Sequence, residues 1–224
     1  MAPQERSART RDKILVATAE VINELSYEKA KLSDIAIRAG VTTGAFYFHF
    51  SGKEDAAQTL IRIQNTHSQE KARARAEAGG PTLEIMLAVS AGLMSDIVND
   101  PIVRAGIRLT TEIHILDSPP VEAWRGWTDF NEMMLEEAID RGELYREFDI
   151  PVMAEVIAGS IAGMHIVSSL FEDIPGLLRR VCAMWVQFLR AYALEPQRWV
   201  DRATELFADT GKPAAPRLLQ DAPP

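Results

Sequence analysis

Cysteine is almost missing from this sequence. A single Cys182 in 224 residues excludes an intrachain disulfide framework and a paired-cysteine metal site, and it fits a reducing cytoplasm. Histidine is sparse, with four in all. There is no His-x-x-x-His pair, no glycine-rich phosphate loop and no Ser/His/acid set with supporting motifs. These absences argue against an enzyme, and neither cofactor nor metal is expected. The N-terminus lacks the apolar core of a secretory signal. The longest stretch without a formal charge, Val156 to Phe171, is sixteen residues, short of the roughly 20 that cross a bilayer. A soluble cytoplasmic protein without membrane contact is the expectation. A surplus of positive charge is missing as well: 24 Lys+Arg stand against 32 Asp+Glu, a net −8. Taken whole, that balance disfavours nucleic acid as a partner.

The charge is unevenly placed. Residues 1–78 hold 12 basic and 10 acidic side chains, whereas residues 79–224 hold 12 and 22. The acidity therefore belongs to the C-terminal two-thirds, and the N-terminal piece is near neutral. Charge permits DNA binding there without requiring it.

The periodicity is helical nearly throughout, and no stretch alternates with period two between hairpin turns. The expected fold is all-α. Ile14, Ala17, Val21 and Leu25, with Leu15 and Ile22 beside them, predict an amphipathic helix from about Arg6 to Leu25. Ser51-Gly-Lys-Glu54 reads as a capping box opening a helix through Ala57, Leu60, Ile61 and Gln64. Punctuation predicts further helices. Thr82 caps one to about Val98, Pro101 starts one through Ile113, and another spans about Val121 to Arg141. Pro151, Pro175 and Pro196 open the last three, to about Phe171, Tyr192 and Ala208. Asp117-Ser-Pro-Pro120 breaks the chain, and the proline-rich end is expected to be disordered. The expected organisation is a helix-turn-helix domain over 1–52, a helical ligand-binding and dimerisation domain over 53–208, and a tail over 209–224.

The informative segment is Leu32 to Phe50. Ile35, Ala36 and Ala39 are apolar at helical spacing, and Phe46 and Phe50 supply the buried face of a second short helix. Gly40 provides the positive φ that joins them, while Ala36 is small where the helices cross. This is a helix-turn-helix whose second helix would lie in a major groove of double-stranded operator DNA. Thr42, Thr43, Tyr47 and His49 remain once the buried positions are removed, and hydroxyls and imidazole suit phosphate contact and modest base readout. Gly44 lets the backbone approach a groove wall. Lys53, in the first turn of the next helix, places a cation beside exposed N–H groups. The bland alternative is a helical hairpin whose aromatics fill a core.

The segment resembles the DNA-binding domain of the TetR family of bacterial repressors, whose signature ends in Gly-x-x-Tyr-x-His-Phe. Here it reads Gly44-Ala-Phe-Tyr47-Phe-His49-Phe50, followed by Ser51-Gly-Lys53-Glu54. The resemblance is stronger to the γ-butyrolactone autoregulator receptor branch, through Gly40-Val-Thr42, Lys53-Glu-Asp55, Pro101-Ile-Val-Arg-Ala-Gly-Ile-Arg-Leu109 and Trp127. It implies DNA contacts at Thr42, Gly44, Tyr47, His49 and Lys53, and control of secondary metabolism. The sequence departs from that branch twice. Thr43 stands where lysine is usual, removing a cationic contact. Ser26 stands where the first helix usually ends in glycine, which costs roughly 1 kcal/mol if the site needs positive φ.

A ligand switch is the second expected function. Trp127 lies one turn beyond Trp124 on a face continued by Phe130 and Met134. Packing alone explains such a stripe, but the resemblance implies that Trp127 stacks on a lactone-like small-molecule effector. Gln64 is a candidate hydrogen-bonding group, with a solvated surface glutamine as the alternative. Thr110, Thr111 and Ser160 are candidate hydroxyls in a mostly apolar cavity. His114 and His165 read as core or interface histidines. A receptor-like repressor answering an antibiotic or biosynthetic intermediate is the nearest rival, and a helical small-molecule carrier or enzyme the remote one.

The third expectation is a homodimer. Gly159 and Gly163 lie among small residues one turn apart, and Leu178, Val181, Trp185, Phe188 and Tyr192 form an apolar stripe on the next helix. Two such helices from each subunit would make a four-helix bundle, and a dimer suits a two-fold operator. Intramolecular packing is the alternative.

Overall fold

The computed structural model describes residues 3–111 and 121–210. Among them are ten α-helices and no strand: α1 Pro3–Leu25, α2 Leu32–Ala39, α3 Thr43–His49, α4 Lys53–Glu77, α5 Thr82–Asn99, α6 Pro101–Thr111, α7 Val121–Asp140, α8 Ile150–Leu170, α9 Gly176–Tyr192 and α10 Pro196–Asp209. The one extended pairing is a bridge between Leu144 and Ala193. His114 and the Asp117–Pro120 break lie outside the described residues, as do residues 211–224 of the expected tail. Asp209 belongs to α10 instead.

The described chain divides into two compact units, residues 3–67 with 100–111, and residues 68–99 with 121–210. The expected boundary at 52/53 follows neither. α4 contributes to both units, and α6 joins the N-terminal one. The reason is chemical. Arg108 on α6 donates to the carbonyls of Ile22 and Asn23 at 3.0 Å each, capping the C-terminal end of α1, where a cation is favoured. Asn23 returns a bond to the Pro101 carbonyl at 2.9 Å. α6 also crosses α4 at Gly106, where an added Cβ would lie 2.5 Å from Gln64 Cβ.

In the first unit Ile14, Leu15, Ile22, Ile35, Phe46 and Leu60 have no exposed surface. α1 ends at Ser26, whose φ is +75° and whose N–H donates to the Ile22 carbonyl at 3.0 Å. The left-handed position expected from the sequence is therefore occupied by serine. The capping box before α4 is displaced by one residue: the Ser51 N–H donates to Asp55 Oδ2 at 2.9 Å, while Glu54 accepts from Gln58.

In the second unit α5 is the central element, burying Leu83, Met86, Leu87, Met94 and Ile97 against α7, α9 and α10. Thr82 does not cap α5. It is the first helical residue, and the Glu143 carboxylate accepts from the N–H groups of Thr82 and Leu83 at 2.9 and 2.7 Å, a cap supplied from 60 positions downstream. By length and composition α5 and α8 could each cross a membrane, although the sixteen-residue charge-free run did not suggest it. α8 is packed on α7 and α9 and buries His165 and Ser168, the Ser168 hydroxyl accepting from Arg180 at 2.9 Å.

The stripe expected to face a second subunit is corrected by the structure. Val181 and Trp185 have no exposed surface and Phe188 is buried, so these residues close the chain's own core. Phe188 meets Trp185, Phe148 and Tyr192 with ring centroids 5.5, 6.2 and 5.3 Å apart. Spacing alone cannot tell an inner face from an interface.

Replacing Ser26 with glycine relieves the left-handed strain. S26G should raise the unfolding free energy by about 1 kcal/mol in urea titration; an unchanged or lowered midpoint would show that the serine side chain compensates.

Candidate nucleic-acid interface and ligand cavity

α2 and α3 are joined by Gly40 at φ +68°, and the Val41 N–H donates to the Ala36 carbonyl at 3.0 Å, closing α2 with a left-handed cap. Thr42 then starts α3, its hydroxyl accepting from the Ala45 N–H at 3.1 Å. Phe46 and Phe50 are withdrawn from water, with centroids 5.8 Å apart. Their burial directs the opposite face of α3 outward.

Most of the expected DNA contacts are open to solvent. Thr42, Thr43, Gly44 and Tyr47 are exposed and His49 is half-buried. Thr42 has a second duty as the helix cap. Lys53 differs from the rest: its ammonium donates to the carbonyls of Tyr27 and Ala30 at 2.7 and 2.9 Å and sits 4.2 Å from the Tyr27 ring centroid. Burial pushes its pKa down, against the opposing pull of Glu28. Lys53 thus ties the turn after α1 to the start of α4, with one N–H left for a phosphate.

The sequence reading missed Phe48. It is 79% exposed and lies edge-on to His49, centroids 5.1 Å apart at 89°. The signal was available, because at 100° per residue position 48 points away from both 46 and 50. Arg11 was missed too; its guanidinium lies 5.2 Å from the Phe50 ring centroid, next to the end of α3. Arg38 on α2 is held by Glu24 at 2.8 Å and Glu20 at 3.2 Å.

The expected ligand residues fall in different places. Trp127 borders two cavities in the second unit. One, of 180 Å³, is lined by Ser68, Lys71, Ala72, Leu93 and Asp96 among others. The other, of 480 Å³, is lined by Arg73, Ala76, Gly126, Phe130 and Met133 among others. The Trp127 and Phe130 rings meet edge-to-face at 6.1 Å. Ser160 lines neither cavity. Gln64 and Thr110 belong to the first unit. Gln64 is buried, contrary to the solvated alternative. The Thr110 hydroxyl donates to the Gly106 carbonyl at 2.7 Å, and Thr111 donates to Arg108 O at 2.8 Å.

On α8, Gly159 is exposed and Gly163 half-buried, and a Cβ at either would meet nothing within 4 Å. Val152, Val156, Val167 and Leu170 are exposed along the same helix, at spacings that keep them on one stripe with the two glycines.

Comparison with known proteins adds the family. Residues 14–57 match the model described as bacterial regulatory proteins, tetR family, and residues 81–194 match the tetracyclin repressor-like C-terminal domain. The chain belongs to the TetR family of bacterial regulatory proteins. As a TetR-family member it is a DNA-binding transcriptional regulator and not an enzyme. The A-factor receptor protein of Streptomyces griseus is 31% identical over 212 residues, 92% of this chain and 74% of that one. Among solved structures, CprB of Streptomyces coelicolor in complex with its biological operator sequence superposes with TM-score 0.81 at 29% identity, over 90% of this chain and 98% of that one. A γ-butyrolactone receptor described as ArpA-like gives 0.79 at 28%, over 91% and 99%.

The position of Lys53 makes it a stability residue in this TetR-family chain. K53A should cost about 1–3 kcal/mol in urea unfolding, because two carbonyls lose a charged donor. An unchanged midpoint would leave Lys53 as a surface cation only.

Proposed function

We propose that the chain is a homodimeric repressor that binds a palindromic operator in the cytoplasm and is released by a small, mostly apolar effector of the γ-butyrolactone type. The observation that carries this reading is the likeness to the A-factor receptor over 92% of the chain, with Trp127 bordering two cavities. The exposed stripe on α8 supports the dimer, since Gly159 and Gly163 leave room for a second helix to approach closely. Two subunits present two copies of α3, as a two-fold operator requires. Release is a shift of population: the effector binds better to a state in which the two α3 helices no longer match successive major grooves, and it moves the equilibrium by that difference in affinity.

In this reading α3 and its cap contact DNA through Thr42, Thr43, Gly44, Tyr47 and His49, with Lys53 and Arg11 at the phosphates. Trp127, Gln64, Thr110 and Ser160 remain proposed effector contacts, and of these Trp127 borders a cavity. The near-neutral N-terminal region gives few phosphate contacts per subunit, so affinity leans on dimerisation and fit.

A gel shift on the DNA upstream of its own gene, with and without a γ-butyrolactone, tests the reading. Y47A should bind about tenfold or more weakly, while W127A should keep DNA binding and lose the effector response. No shift by the wild type at low salt sinks the operator assignment. A shift that lactones leave intact but an antibiotic or its precursor abolishes moves the effector to that class.

A further inference from the structure

We propose that Phe48 is a specificity-determining residue that reads thymine through its 5-methyl group. The inference rests on α3 being the helix that enters the major groove, and it goes beyond that by naming a base and the atom recognised. Three observations lead to it.

The first is placement. Phe48 has the largest fractional exposure of any large apolar side chain among the described residues, 79%, on the face of α3 opposite Phe46 and Phe50. It adjoins Tyr47, which is 59% exposed. The Phe48 ring is held edge-on to His49 and the Tyr47 ring edge-on to Phe46. The Phe48 and Tyr47 rings are both exposed.

The second is the absence of competing chemistry. From Ala39 through Gly52 the sequence has no formally charged residue. The flanking cations are engaged elsewhere: Arg38 by Glu20 and Glu24, and Lys53 by the carbonyls of Tyr27 and Ala30. The commonest specific base contact, a cationic side chain on guanine O6 and N7, is therefore not supplied by α3 itself. Nor does α3 carry the Asn or Gln that pairs with adenine.

The third is what an exposed phenyl ring can recognise. In the major groove the 5-methyl of thymine is the one apolar group a base pair presents, and apolar side chains discriminate by covering it. A phenylalanine left in water on a reading surface gains from that burial, which a hydroxyl or imidazole beside it does not.

The test uses the full chain and a duplex selected by it from a randomised library. Each thymine is replaced singly by deoxyuridine, which removes the methyl and nothing else. At one or more thymines in each half-site, wild-type binding should weaken about 3- to 5-fold, the factor for burying one methyl group. F48A should bind the thymine and uracil duplexes within about twofold of each other, its apolar reader being gone. F48L, still apolar, should retain a preference for thymine. Thermal melts of both variants should match wild type, since the side chain is exposed. A flat scan, or an undiminished uracil penalty in F48A, overturns the role of Phe48 while leaving DNA binding by α3 intact. Failure to recover any bound duplex overturns the reading of α3 itself.

Discussion

Phe46 and Phe50 lie one turn apart on α3, and the burial of both rings sets which side of a seven-residue helix faces outward. A helix that short is not stable alone in water. It persists because two aromatic side chains are removed from solvent, each contributing roughly 1.5–3 kcal/mol, and because Thr42 caps its first turn. Gly40 then fixes where α3 starts, since its left-handed backbone reverses the chain within one residue. The outward positions of Thr43, Gly44, Tyr47 and Phe48 follow from these constraints.

The cations of the first unit show how the same constraint is maintained. Arg38 holds α2 to α1 through two glutamates, Lys53 holds the turn after α1, and Arg108 caps the end of α1 from α6. Each brings a positive charge to carboxylates or to carbonyl groups that a helix end or turn leaves without partners. These basic residues work as fasteners within the first unit. The reading surface they frame is uncharged and aromatic.

Local rules made much of the fold legible. Proline and glycine punctuation placed the helix boundaries within a few residues, and the period of Ile14, Ala17 and Val21 marked the buried face of α1. The strained position at Ser26 was legible through its departure from a family pattern. Where the reading failed, the partner was distant in sequence or the two faces of a helix were equally apolar. Thr82 looks like a cap, but Glu143 performs that duty. Val181, Trp185 and Phe188 have the spacing of an interface and are core. Phe48 drew no assignment from the sequence, although its angular position on α3 points away from Phe46 and Phe50.

The sequence by itself determined the all-helical class, the helix-turn-helix at 32–50 and the uneven division of charge, because periodicity, a positive-φ glycine and charge are properties of neighbouring residues. Only the tertiary structure decided that α6 belongs with α1, that Lys53 bonds the carbonyls of Tyr27 and Ala30, that Gln64 is buried, and that Trp127 borders two cavities. Those outcomes depend on which distant carbonyls, rings and helices a side chain meets, and a one-dimensional pattern holds no term for that. The net charge of −8 is one such case: it says little about a DNA partner until the fold shows which cations are engaged and which surface α3 presents.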